Sequence, residues 1–130
     1  MPRSQTIPTD PQISLPNGGD PGPRFRLAMR RLAATVSVVT TLEKGVRYGM
    51  TATSVVSVSM DPPSLLVSIN RRASIHDPLL RRARFCVNLL LARHQPCSDV
   101  FSGKLAVPER FDVGSWRQDD HELPYLTDAL

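Results

Sequence analysis

Val36-Ser37-Val38-Val39-Thr40-Thr41, a Glu43-Lys44-Gly45 turn, and a return arm from Arg47 that ends in Gly49-Met50-Thr51-Ala52-Thr53-Ser54 decide how this chain is read. The β-branched run followed by a glycine-bearing turn predicts a β-hairpin. Gly49 permits close backbone approach from the return arm. That arm is unusual, because small and hydroxylated residues stand where large β-branched ones would pack better. Spacing leaves two readings open. One is an exposed strand face, where threonine is at home. The other is a surface for a flat ligand whose edge is bonded by backbone groups and hydroxyls.

Working outward, Val55 to Ser59 continues the sheet past a bend, and Asp61-Pro62-Pro63 stops it, since proline has no N–H for a ladder. Ser64 to Ile69 and Phe85 to Leu91 read as further strands. Asp77-Pro78 reads as the cap and first turn of a short helix, Leu79 to Ala83, with Ser74 as an alternative cap. Gln95-Pro96 opens another, Cys97 to Ser102. Beyond Lys104 the apolar residues Phe111, Trp116, Leu123, Tyr125 and Leu126 stand isolated, which predicts packed loops. Upstream, Phe25, Ala28, Met29, Leu32 and Ala33 form one apolar helical stripe. Residues 1–23 hold six of the 12 prolines and read as a disordered arm. The expected fold is therefore mostly β with short helices, its antiparallel strands closing towards a barrel over residues 24–130. Helices this short cannot cover a doubly wound sheet.

Composition narrows the function classes. The chain has 130 residues, enough for one core. No apolar run approaches the roughly 18 residues of a membrane-spanning helix. Residues 24–104 carry 13 basic and 4 acidic residues, and residues 105–130 carry 2 and 6, so a basic body precedes an acidic tail. A basic body suits an anionic partner: nucleic acid, a phosphorylated cofactor or a membrane surface. Aromatic residues make up only 5%, and no stacking platform for bases is visible. Neither Gly-x-Gly-x-x-Gly nor a Walker-type loop occurs. His76, His94 and His121 share no metal-ligand spacing, and no nucleophile stands where a His76–Asp77 pair would use it. Cys86 and Cys97 make neither a disulfide framework nor a Cys-x-x-Cys site, as expected of a cytoplasmic chain.

A second constellation is the polar loop Asn70-Arg71-Arg72-Ala73-Ser74 ahead of a helix start. Backbone N–H groups, a serine hydroxyl and two guanidinium groups converge there, as a phosphate site would require. A solvated basic loop is the other reading.

In combination these segments resemble a known family. Phe25-Arg26-x-x-Met29, Val36 to Thr41, Gly49 to Ser54 and Ser57-Val58-Ser59-x-Asp61-Pro62-Pro63 are similar, in this order, to the short-chain NAD(P)H:flavin oxidoreductases, the flavin reductase-like family with an FMN-binding split barrel. Phe85-x-Val87-Asn88-Leu89-Leu90, Gln95, Val100-Phe101-Ser102-Gly103, Arg110-Phe111 and Leu123-Pro124-x-Leu126-x-x-Ala129 continue the likeness. The resemblance implies a flavin ring and ribityl chain against Gly49, Thr51, Ala52, Thr53 and Ser54. It implies the phosphate at Asn70, Arg71 and Ser74, backbone contact from Val87, Asn88 and Leu89, and a wall at Phe101. It implies no catalytic side chain and no metal, FMN or FAD as flavin, and NAD(P)H as hydride donor. A monooxygenase receives the reduced flavin, and the protein is a homodimer binding neither nucleic acid nor membrane. Family members continue past Ala129 with further barrel strands and a Gly-Asp-His motif, so the chain is expected to lack the family's C-terminal part. A non-catalytic flavin-binding split barrel and a basic nucleic-acid-binding protein are the alternatives.

Overall fold

The computed structural model describes residues 21–29 and 34–130. Helix α1 runs Pro21–Met29, starting inside the segment expected to be an arm. Pro21 and Pro23 sit in its first turn, where a missing N–H costs nothing. Leu32 and Ala33, the end of the expected stripe, lie outside the described residues.

From Ala34 onward a second unit contains the hairpin. Strand β1 is Ser37–Glu43 and β2 is Val46–Ala52, antiparallel and in register from Ser37↔Ala52 to Glu43↔Val46. Lys44 and Gly45 turn the corner with φ of 50° and 77°, the two positive values that a tight two-residue hairpin demands. Strand β5, Cys86–Leu89, pairs on the other side of β1, giving the order β2-β1-β5. Central β1 is covered on both faces. Val38 packs with Cys97, Phe101, Phe111 and Leu126, while Val39 packs with Ala52 and Ile75. Burying one such valine stabilises by about 1.5–3 kcal/mol.

The stretch expected to extend this sheet does not. Strand β3, Val55–Met60, pairs only with β4, Pro63–Val67, in a separate two-stranded sheet. Ser54 explains the separation. Its Oγ donates to the Ser68 carbonyl at 3.1 Å, and its own carbonyl accepts from the Ser68 N–H at 3.2 Å. These bonds continue the β3–β4 ladder one step past the Val55↔Val67 pair, so Ser54 belongs to that hairpin and not to the main sheet. The predicted packed loops beyond Lys104 contain a third sheet, β6 (Trp116–Gln118) with β7 (Pro124–Leu126). Three-residue strands leave almost no periodicity to read. The described residues are mostly strand with short helices between, in hydrogen-bonded sheets of three, two and two strands.

Helix α2 is His76–Arg82, beginning earlier than Asp77-Pro78 suggested. Neither Asp77 nor Ser74 caps it. Ile75 occupies the cap position without a side-chain bond, and Asp77 instead meets its neighbour His76, Nδ1 to Oδ1 at 2.6 Å. Helix α3 is Gln95–Asp99, one turn with Pro96 at its start, and a wider turn over Val100–Lys104 replaces the rest of the expected helix. That turn swings Phe101 inward, where it is 1% exposed.

Candidate functional site

The free edge of β2 positions the site. Gly49 and Thr51 share a face with Val38 and Thr40, directly opposite them in the ladder. The Gly49 carbonyl accepts from Arg110 Nη1 at 3.0 Å, so it points away from β1. Alternation along an antiparallel edge sends the Thr51 backbone groups the same way. Thr51 Oγ1 is committed elsewhere, donating to the Ser98 carbonyl at 2.7 Å and tying β2 to α3.

Phe101 closes against this edge, and the missing Cβ of Gly49 makes room for it. A methyl built there would stand 2.5 Å from one ring carbon and 2.8 Å from another. The ring meets Phe111 edge-on at 5.0 Å and Trp116 at 5.2 Å, so three aromatic rings fix one another. Arg47 stacks over the Phe111 ring at 4.7 Å.

Between these walls lies a cleft of about 470 Å³, within the range of small-ligand sites. Met50 and Thr51 form one side, Phe101 to Gly103 another, and Arg72 to Ser74 with Arg110 complete it. The two stretches singled out in the sequence therefore meet at one place. Asn70 shapes the turn that brings the second stretch in. Its Oδ1 accepts from the Arg72 N–H and its carbonyl from the Ala73 N–H, both at 2.9 Å. Arg110 is held by two carbonyls, Nε to Leu105 at 2.9 Å and Nη1 to Gly49. Among the described residues no carboxylate lines the cleft.

The remaining candidates are placed differently. Arg71 is exposed and does not line the cleft, whereas its neighbour Arg72 does. Ala52 is core, Thr53 is exposed at the bend, and Ser54 holds that bend. Asn88 is 3% exposed and acts as a bolt. Its Nδ2 donates to the Val38 carbonyl at 2.9 Å and its Oδ1 accepts from the Leu126 N–H at 2.8 Å, joining the main sheet to β7. Val87 and Leu89 face a second groove of about 480 Å³, shared with Val55, Met60, Leu65 and Leu130. Met50, Ala73, Ser102, Gly103 and Arg110 line the cleft without a sequence signal that marks them as site residues, and Arg72 enters only as the second guanidinium of the Asn70–Ser74 loop. The Arg110-Phe111 pair of the family motif is the one sequence feature that points to Arg110.

The groups whose pKa is clearly displaced lie outside the cleft. The Arg81 guanidinium bonds both oxygens of Glu43 and holds its carboxyl below the usual range. The His94 ring, with Nε2 3.0 Å from Asp128 Oδ2, does the same for Asp128. Burial pushes the Cys86 and Cys97 thiols up, so neither is primed as a nucleophile. Among the described residues no cluster of three or more His, Cys, Asp or Glu could hold a metal, and no helix is long and apolar enough to cross a membrane.

Residues 29–130 match the family described as "Flavin reductase like domain". The reductase component of the FADH(2)-dependent resorcinol hydroxylase of Rhizobium sp. (strain MTP-10005) is 47% identical over 110 residues, covering 83% of this chain and 62% of that protein. The FMN reductase (NADH) RutF of Methylorubrum populi (strain ATCC BAA-705 / NCIMB 13946 / BJ001) is 47% identical over 106 residues, covering 82% of this chain and 52% of that protein. The chain thus spans between half and two thirds of the length of these relatives. Among solved structures, BorF, the flavin reductase component of a bacterial two-component tryptophan halogenase, superposes with a TM-score of 0.75 at 30% identity, over 84% of this chain and 69% of that one. A family match over most of the chain and a superposable flavin reductase agree with the motifs and with the cleft they build: the chain belongs to the flavin reductase-like domain family.

Proposed function

We propose that the chain is the flavin-binding part of a reductase that moves hydride from NAD(P)H to FMN or FAD and passes the reduced flavin to a partner monooxygenase. The observation that carries this reading is the meeting of the Met50–Thr51 edge and the Arg72–Ser74 turn in one cleft that has no carboxylate among its described lining residues. When bound, the flavin supplies the two-electron acceptor, so the protein needs no nucleophile.

The chain's own residues then have binding and electrostatic roles. The Thr51 backbone on the free edge of β2 is placed to bond the polar rim of a planar ring. Phe101, immobilised by Phe111 and Trp116, gives that ring a fixed wall and excludes water. Ser74 and Arg72 offer a hydroxyl and a cation to an anionic tail. Donors aimed at developing negative charge favour the reduced state without reorganising.

The finer parts of this reading are proposals as well. The sheets complete a split barrel in a homodimer, supported by the exposed Val56, Val58, Met60 and Leu66 of the β3–β4 sheet. Two free thiols suit a reducing, cytoplasmic compartment. The two relatives, an FMN reductase (NADH) and the reductase component of a FADH(2)-dependent hydroxylase, support the donor and the partner class.

The test uses the chain's only tryptophan, Trp116, which lies 5.2 Å from Phe101. FMN is expected to quench its fluorescence saturably, and NADH or NADPH is expected to be oxidised only when flavin is present. Quenching without oxidation restricts the chain to flavin binding. Absence of quenching by FMN and FAD alike overturns the reading.

A further inference from the structure

His94 is a buried imidazole, 6% exposed, that no binding role described above uses. Both of its ring nitrogens have fixed neighbours. The Leu91 N–H donates to Nδ1 at 3.0 Å, so Nδ1 carries no proton and the neutral ring keeps its proton on Nε2. Asp128 Oδ2 stands 3.0 Å from that buried Nε2, close but not aligned as a hydrogen bond, so the contact acts chiefly through charge. The Asp128 carboxylate is half exposed and reaches inward to the ring. Arg93 meets the same carboxylate from the solvent side, Nε to Oδ2 at 3.3 Å, and an exposed pair of that kind contributes little.

The ring stands immediately before helix α3, whose first turn has no side-chain cap. A helix of one turn has little stability of its own, so its placement depends on what holds its two ends. Its far end is held at the cleft. The Ser98 carbonyl accepts from Thr51 Oγ1 at 2.7 Å, and the helix runs directly into the Val100–Lys104 turn that carries Phe101. Ser102 Oγ donates to the Asp99 carbonyl at 2.6 Å and joins that turn to the helix. Thr51 and Phe101 line the cleft, whereas His94 and Asp128 do not. His94 holds the near end, and Asp128 holds His94.

We propose that His94 and Asp128 are a positioning pair for the cleft. Asp128 fixes the imidazole, the imidazole fixes the start of α3, and α3 sets where Phe101 stands against the Thr51 edge of β2. The effect on ligand binding rests on the flavin reading of the cleft. A wall held in place before the ligand arrives needs less ordering on binding, which preserves affinity.

Two measurements on the whole chain test the pair. FMN binding, followed by Trp116 quenching, is expected to weaken about threefold or more in Asp128→Ala, a coupling of the size that packed contacts transmit. Asp128→Asn keeps an amide oxygen beside Nε2 and is expected to recover part of the loss. Arg93→Met leaves the His94 contact in place and is expected to stay within about twofold. His94→Phe is expected to reproduce the loss, and Asp128→Ala to add nothing in that background. Where His94→Phe does not fold, the two Asp128 variants and Arg93→Met carry the comparison. A merely structural role would lower urea stability and leave FMN affinity unchanged. The second measurement needs no ligand. Amide shifts of the flavin-free, isotope-labelled Asp128→Ala chain are expected to move at Thr51, Ser98 and Phe101 as well as at Leu91 and His94. Unchanged FMN affinity, or shifts confined to residues 89–94 and 126–130, overturns the positioning pair. A loss in Arg93→Met equal to that in Asp128→Ala, or additive losses for His94→Phe and Asp128→Ala, does the same. Failure of FMN and FAD to quench the unsubstituted chain overturns the flavin reading instead, and the amide shifts then decide the positioning on their own.

Discussion

Replacing Gly49 with alanine opposes two effects of known size in one substitution. In a strand interior, alanine is preferred over glycine by about 0.5–1 kcal/mol, because glycine loses more backbone freedom on folding. The backbone at Gly49 is not in the left-handed region, so alanine meets no φ penalty. Against that gain stands the Phe101 ring, 2.5 and 2.8 Å from where the methyl would be, with Phe111 at 3.4 Å. Real Cβ contacts do not come so close, and the ring cannot simply swing aside, because Phe111 and Trp116 hold it. Overpacking of this kind costs about 1–3 kcal/mol. At the centre of both ranges the overpacking term wins, for a net loss of about 1 kcal/mol. For a unit of roughly 100 residues that lowers the melting temperature by at least about 4 °C.

Urea unfolding followed by Trp116 fluorescence measures the loss, and a double-mutant cycle locates it. Phe101→Leu alone destabilises by removing ring contacts. In the Gly49→Ala background the smaller side chain is expected to recover stability, giving a coupling of about 1 kcal/mol. Gly49→Ala as stable as the unsubstituted chain, or additive with Phe101→Leu, would refute the argument that Gly49 exists to admit the Phe101 ring.

Three further outcomes follow from other contacts. Asn88→Ala strands the Val38 carbonyl and the Leu126 N–H in the core; chemical denaturation should show a loss on the order of 3 kcal/mol. Glu43 and Asp128 both have folded pKa values below their ordinary ones, so their contribution is present above the unfolded values and lost as pH falls through the folded ones. Stability should decline below about pH 4.5, and Glu43→Gln with Asp128→Asn should flatten that decline in a pH series of unfolding curves. Cys86 and Cys97 have raised thiol pKa values; a thiol reagent at neutral pH should label the folded chain far more slowly than the urea-unfolded one.

Much of this architecture was legible because its signals are local. The Lys44-Gly45 turn, the β-branched run of β1 and the proline stop after Met60 act through backbone preferences of neighbouring residues. The cleft was partly legible, since both of its halves stood out in composition. Which arginine of the Asn70–Ser74 loop faces the cleft was not, because the orientation depends on the Asn70 side chain folding the turn. Asn88 sits in a motif expected to touch flavin, yet its amide is spent on Val38 and Leu126, partners 50 and 38 positions away. Arg110 lies in a polar stretch with almost no periodicity, and only the fold brings it beside Gly49. The assignment of β3 to the main sheet failed for a similar reason: Ser54 and Ser68 close the bend through bonds that no spacing encodes.

The account turns on where the flavin lies. Amide chemical shifts of the isotope-labelled chain, followed through an FMN titration, locate it directly. The largest saturable changes are expected at Thr51, Ala73, Ser74, Ser102 and Gly103. Changes centred on Ser57, Leu65, Val87 and Leu89 would put the ligand in the other groove and contradict the account.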